Sequence, residues 1–253
     1  MIDSHIHLNL QQYKDDLEDV IKVAKQSGVK KVVLIGCGNK HIEEILEIYK
    51  KDPDFFILAG GFHPVDVSEY CESDLEILEE TILKGKLSSI GEIGLDYHWH
   101  PEQKELQMHF FVKQIELAQK YDLPIIVHSR DAYEDCYTVL SQYAPVKGVM
   151  HSFADNSEMA KKFTSIGMKI GLSGPITFKN GISQKDVAKN ISLNDLLIET
   201  DGPYLTPEPF RGKRNRPEYI KYVAQEIAFQ KNCSLEEVLL RTEKNTLELF
   251  GKE

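Results

Sequence analysis

The chain has 253 residues, of which 40 are acidic and 30 basic, giving a formal charge of −10 with 42% hydrophobic and 28% charged residues. This balance is ordinary for a globular protein; it excludes a fibrous or disordered composition and argues against broad, non-specific attraction to nucleic acid. Four scattered cysteines without a C-x-x-C pair offer neither a zinc ribbon nor a disulfide framework, and the lack of a leader pattern or of an apolar run of about 20 residues predicts a cytoplasmic protein with no membrane span.

Short β-branched runs alternate with longer amphipathic stretches along most of the chain. In order, a strand at 2–8 precedes a helix at 15–27, 31–35 precedes 41–50, 55–60 precedes 74–83, and 89–93 precedes 101–121. Strand 124–128 is followed by helix 132–142, 147–151 by 156–166, 168–172 by 183–190, and 196–199 by 217–231. Eight βα repeats without a Pro/Gly-rich linker predict an α/β fold, a (β/α)8 TIM barrel occupying 1–253 as one domain. An additional C-terminal helix is expected at 235–250, because Ser234 and Glu237 form a capping-box pattern ahead of an apolar run. The irregular stretch 205–217 follows the last strand, which in such a barrel places it on the active face.

His5 and His7 stand two apart on the first strand, so both imidazoles point to the same face. Alone, this His-x-His is equally a pair of satisfied core histidines. Glu92, His128, His151 and Asp201 recur at or just past other predicted strand ends, however, where a barrel normally carries branched apolar residues. Polar groups gathered there are costly without a metal or a partner. Six donors exceed the needs of one tetrahedral ion and suit two divalent ions that share a carboxylate, about 3.5–4 Å apart. Asp201 is a candidate ligand and also a candidate proton acceptor for the attacking water; the competing reading is an N-cap before Pro203.

His63, beside Pro64, is expected to touch substrate or orient a ligand rather than bind metal. Arg130, Arg211, Lys213, Arg214 and Arg216 bring positive charge to the same face, and the arginine fork suits phosphate. Tyr97, Trp99 and Tyr204 could stack on bases or simply pack the rim. His98 and His100 read as rim residues, and His41 and His109 as helix residues.

The motifs Asp3-Ser-His-Ile-His7, Gly61-Phe-His-Pro64, Gly91-Glu-Ile-Gly-Leu-Asp-Tyr97, His128-Ser-Arg-Asp131, His151-Ser-Phe153, Glu199-Thr-Asp-Gly-Pro-Tyr-Leu205 and Arg211-Gly-Lys-Arg-Asn215 occur in this order. Together they make the chain resemble, almost end to end, the TatD family of metal-dependent deoxyribonucleases within the amidohydrolase-like barrels. The resemblance implies that His5, His7, Glu92 and Asp201 surround one ion, and that Glu92, as the bridge, holds a second with His128 and His151. It implies Glu92 and Asp201 as catalytic residues, His63, Arg130, Arg211, Lys213 and Arg214 as substrate contacts, and single-stranded or frayed DNA as the partner, cleaved from an end by metal-activated water. Mg, Mn, Zn, Ni and Fe all suit such donors. Two other readings compete: the same chemistry on an acyl ester, such as that of a D-aminoacyl-tRNA, and a non-catalytic nucleic-acid-binding barrel. Nothing in the sequence demands an oligomer, and a monomer is compatible with every feature.

Overall fold

Branched and aromatic runs adopt the extended backbone their alternation calls for, and the amphipathic stretches between them wind into helices. In the computed structural model, which describes residues 1–251, β1 (Ile2–Ile6) leads to α1 (Leu17–Gln26), β2 (Lys31–Cys37) to α2 (Asn39–Lys51), β3 (Phe56–Gly61) to α3 (Glu72–Leu83) and β4 (Ser89–Asp96) to α4 (Lys104–Lys120). Then β5 (Ile125–Arg130) leads to α5 (Tyr133–Ser141), β6 (Gly148–Met150) to α6 (Ser157–Ser165), β7 (Met168–Leu172) to α7 (Ile182–Asn190) and β8 (Leu196–Ile198) to α8 (Ile220–Lys231), before α9 (Leu235–Phe250). The last two residues of the expected 1–253 domain lie outside the described residues.

The strands form one sheet in sequence order, every neighbouring pair parallel. Its two edges meet where Asp201 N donates to His5 O at 3.0 Å and His7 N donates to Gly202 O at 2.9 Å. The result is a (β/α)8 barrel with an additional C-terminal helix, α9. Ser234 caps α9 by accepting from Glu237 N at 3.1 Å. Among the described residues, no helix is long and apolar enough to cross a membrane.

Strand parity separates two cores. Val32, Leu34, Leu58, Ile125 and Val127 join the large cluster shared with the helices, whereas Val33, Ile35, Ile57, Ala59, Ile126, Val149 and Leu197 form a smaller cluster with Leu249 and Phe250 of α9. The smaller set is the barrel interior, and continuing its parity to the C-terminal strand ends reaches the polar residues of the mouth.

Most boundaries shift by one or more residues, β1 ending at Ile6 so that His7 lies just past it, and three further shifts bear on the site and its flanks. β4 continues to Asp96 because Leu95 and Asp96 pair with Ser129 and Arg130, so Glu92 sits within the strand rather than at its end. The stretches 101–121 and 217–231 each begin with a 3-10 turn, Pro101–Gln103 and Pro217–Tyr219, where a proline without an N–H starts the turn.

Candidate metal centre

The site is assembled from interior-facing positions. His5 and His7 share one face at the end of β1, His63 extends the parity of Ile57 and Ala59 beyond β3, and Glu92 projects from β4. His128 follows Ile126 on β5, His151 follows Val149, and Asp201 follows Leu197 and Glu199 past β8. Two glycines permit the close approach. At Gly94, with φ +138°, a Cβ would lie 2.0 Å from His128 O, and at Gly171 one would lie 2.5 Å from Glu199 Oε2.

Glu92 is the hub, and its two oxygens face different groups. Oε1 lies 3.0 Å from His128 Nδ1, 3.5 Å from His63 Nε2 and 3.6 Å from His151 Nε2. Oε2 lies 3.4 Å from His5 Nε2 and 3.7 Å from His7 Nε2. Asp201 Oδ1 completes the ring, 3.9 Å from His5 Nε2 and 3.7 Å from both His7 Nε2 and His151 Nε2. All six residues expected as ligands are therefore brought together, with His63 beside them.

Behind the ring stand carboxylates that the sequence reading left without a role. Asp96 Oδ2 lies 2.9 Å from His128 Nε2, while its Oδ1 accepts from both His98 N and Trp99 N at 3.0 Å. Gln107 clamps the Asp96 backbone, its Oε1 accepting from Asp96 N at 2.8 Å and its Nε2 donating to Asp96 O at 2.9 Å. Fully buried Glu199 places Oε1 2.9 Å from His151 Nδ1, an ion-pair contact outside hydrogen-bond geometry, and accepts from Ser152 N. Asp3, also fully buried, accepts from Thr200 N and His5 N and is bonded to Thr200 Oγ1, so it braces the β1–β8 seam. Each was present in a quoted motif; the missed signal was interior parity shared with a histidine or with Asp201.

The electrostatics follow from burial against mutual attraction. Burial opposes ionisation of Glu92, yet the surrounding imidazoles hold its carboxyl well below the usual carboxylate range. At His151 burial favours the neutral ring, but Glu199, Glu92 and Asp201 push it up to about 10. His128 is raised against the same burial by Asp96 and Glu92, whereas His7, buried and beside His5, is lowered well below its ordinary value. Burial outweighs the nearby imidazoles at Asp201 and raises its carboxyl.

The donor chemistry fits divalent cations. His5 Nε2 and His7 Nε2 face one another at 3.1 Å, and His5 Nδ1 is buried without a hydrogen-bond partner. Asp96 and Glu199 lie against one nitrogen of His128 and His151 respectively, which leaves the other nitrogen of each ring turned toward Glu92, where an ion could replace its proton. Three overlapping donor sets lie close enough to hold a cation: His5, His7 and Asp201; His5, Glu92 and His151; and His63, Glu92 and His128.

The basic residues of the face divide differently. Among the described residues, no carboxylate lies within ion-pair distance of Arg130, Arg211 or Lys213, and their cations lie over Trp99, Phe178 and Phe210 at 5.4, 4.2 and 5.5 Å. Arg214, expected as a phosphate contact, instead grips both oxygens of Asp16 at 2.8 and 2.6 Å, bonds Gln12 O and covers Tyr13. Arg216 pairs with Glu218 at 2.7 Å and with Asp19 at 3.7 Å.

A family model described as TatD-related DNase matches residues 2–251. The uncharacterized metal-dependent hydrolase YabD of Bacillus subtilis is 43% identical over 252 residues, covering 99% of this chain and 98% of its own. YcfH of Escherichia coli, described in the same words, is 33% identical over 258 residues, covering 99% and 95%. The crystal structure of YjjV, a TatD homologue from Escherichia coli, has a TM-score of 0.94 at 29% identity and spans 100% of this chain and 98% of that one. A match over nearly the whole length, on a barrel whose mouth gathers five imidazoles around Glu92 and Asp201, makes this chain a member of the TatD family and a metal-dependent hydrolase.

Proposed function

We propose that the protein is a cytoplasmic deoxyribonuclease that hydrolyses phosphodiester bonds from the ends of single-stranded or frayed DNA. The observation that carries this reading is the division of Glu92, with Oε2 toward His5 and His7 and Oε1 toward His128 and His151. His5, His7, Glu92 and Asp201 would hold one divalent ion, and Glu92, His128 and His151 a second. Ions held there supply Lewis acidity to an ester oxygen and favour the ionisation of water. DNA as the substrate is supported by the description of the matching family.

The chain's own groups complete the chemistry. Burial makes Asp201 a better proton acceptor than an exposed aspartate, so it takes a proton from the attacking water. Asp96 and Glu199 fix the rings of His128 and His151, so that no reorganisation is needed when substrate binds. Arg130, Arg211 and Lys213 remain on the rim for phosphate contact, while Arg214 ties the 205–217 stretch to the segment before α1.

The test is an assay on 3′- and 5′-labelled single and double strands, with Mg, Mn, Zn, Ni or Fe supplied in turn. Metal-stimulated release of nucleotides from one end is expected, with loss in Glu92→Gln and Asp201→Asn. Activity that survives both substitutions overturns the mechanism. Hydrolysis of a D-aminoacyl ester without any of an oligonucleotide moves the substrate to the acyl class, and a protein that binds DNA but no metal is a binding module.

A further inference from the structure

Asn215 closes the Arg211–Asn215 motif, is fully buried, and directs its donors at the segment that bears Asp201. Its Nδ2 donates to Thr200 O and to Tyr204 O, each at 2.7 Å, and its backbone N donates to Pro203 O at 3.0 Å. Gly202 O accepts from His7 N and Asp201 O from Tyr204 N, both at 2.9 Å. Of the five carbonyls from Thr200 to Tyr204, Asn215 therefore satisfies three. Its own acceptors are met from outside the turn: Oδ1 accepts from Arg216 N at 2.9 Å, and its carbonyl accepts from the buried Tyr13 hydroxyl at 2.7 Å. The amide can stand only this way round, because only a donor can face two carbonyls.

The turn needs such a clamp. Asp201 has φ +57° and Leu205 φ +52°, both in the left-handed region that a Cβ disfavours and that persists only where surrounding bonds hold it. Relaxation of Asp201 to negative φ would swing its carboxylate away from His7 Nε2 and His151 Nε2, which lie 3.7 Å from Oδ1. Thr200 is gripped from both sides, by Asp3 through its N and Oγ1 and by Asn215 through its O. Asp3 thus fixes the approach to Asp201, and Asn215 fixes the exit. A second buried asparagine supplies the contrast. Asn245 of α9 donates from Nδ2 to Leu193 O and Leu196 O, each at 2.8 Å, at the end of β8 opposite the mouth.

We propose that Asn215 is a positioning residue for Asp201: its amide and backbone N–H hold the left-handed turn that keeps the carboxylate in the mouth, while Asn215 itself touches neither metal nor substrate. The inference rests on the hydrolase reading of this mouth. It gives the Arg211–Asn215 motif a purpose that does not depend on its charges.

The experiment compares wild type, Asn215→Ala, Asn215→Ser, Asn245→Ala, Asp201→Ala and the double variant Asn215→Ala with Asp201→Ala. Thermal melting, zinc affinity against a competing chelator, and turnover of a labelled oligonucleotide are measured for each. Asn215→Ala and Asn245→Ala both lose an amide that bridges two carbonyls, so both should melt at similarly lowered temperatures. Zinc affinity and kcat should fall about 10–100-fold in Asn215→Ala, as for groups that orient a ligand, with KM little changed, and should stay like wild type in Asn245→Ala. Asn215→Ser, whose hydroxyl can donate to one carbonyl only, should lie between wild type and Asn215→Ala, and it carries the test if the alanine variant does not fold. In the Asp201→Ala background, Asn215→Ala should change zinc affinity by less than about twofold, because residues that act as a unit do not add. Zinc affinity like wild type in the Asn215 variants, equal losses in Asn215→Ala and Asn245→Ala, or full additivity with Asp201→Ala overturns the proposal. An oligonucleotide left uncut by wild type strikes at the DNA reading alone, and the melting and zinc measurements still decide the role of Asn215.

Discussion

Two regions of this barrel are rich in ionisable groups and use them in opposite ways. At the mouth, carboxylates and imidazoles are buried, face one another across 3–4 Å and are held from behind by further protein groups. In the 205–217 stretch, Arg214 and Arg216 are partly exposed and are matched by Asp16, Asp19 and Glu218. The first arrangement turns ring nitrogens and carboxylate oxygens toward a common space; the second consumes its charge within the chain. A loop arginine therefore signals an anion site only after its partners are known, whereas an interior imidazole backed by a carboxylate signals a ligand directly.

The strongest way to break this contrast is at its hub. Glu92→Gln should lower hydrolysis by about 10³-fold or more, with the loss of bound metal. A variant with intact metal content and nearly intact turnover would show that the hub holds nothing. One step outward, Glu199→Gln and Asp96→Asn should each reduce metal affinity about 10–100-fold while the fold persists. Circular dichroism with a metal titration separates the two effects, and unchanged affinity in both would make the backing carboxylates structural only.

Acid provides the next test. With no ion bound, His151 is pushed up to about 10, so its ring holds a proton near neutrality that an ion must displace, and His128 is shifted in the same direction by Asp96 and Glu92. Affinity should therefore fall as pH is lowered, and calorimetry in buffers of different ionisation enthalpy should show proton release. Heats independent of the buffer would contradict this assignment. The smallest effects belong to the loop: Arg214→Ala should cost about 1 kcal/mol of stability through its partly exposed pair with Asp16. It should leave the salt dependence of DNA binding unchanged, whereas Arg211→Ala and Lys213→Ala should each reduce the salt slope by about one with little effect on stability.

Much of this was legible in the sequence because strand parity is a local property. His5 and His7 announce a shared face, and the eight alternations announce the ring. The placement of Glu92 was less accurate, since the reach of β4 depends on its pairing with Ser129 and Arg130, residues of another strand. Asp96 and Glu199 escaped notice because a carboxylate in a strand acquires meaning only from the ring behind which it lies. Arg214 was misread for the same reason at longer range: its partner Asp16 is 198 residues away. What the sequence conceals is pairing across distance, and pairing decides whether a charge is available.

The seam between β1 and β8 carries a final implication. His5 and His7 stand on one side of it and Asp201 on the other, stitched by Asp201 N to His5 O and His7 N to Gly202 O. These donors converge only when the first strand and the segment beyond the last have met, so the centre acts as a clasp on the hoop. An ion bound there contributes to holding the ring shut, and protection of the seam amides from hydrogen exchange should rise with metal concentration ahead of that elsewhere in the barrel.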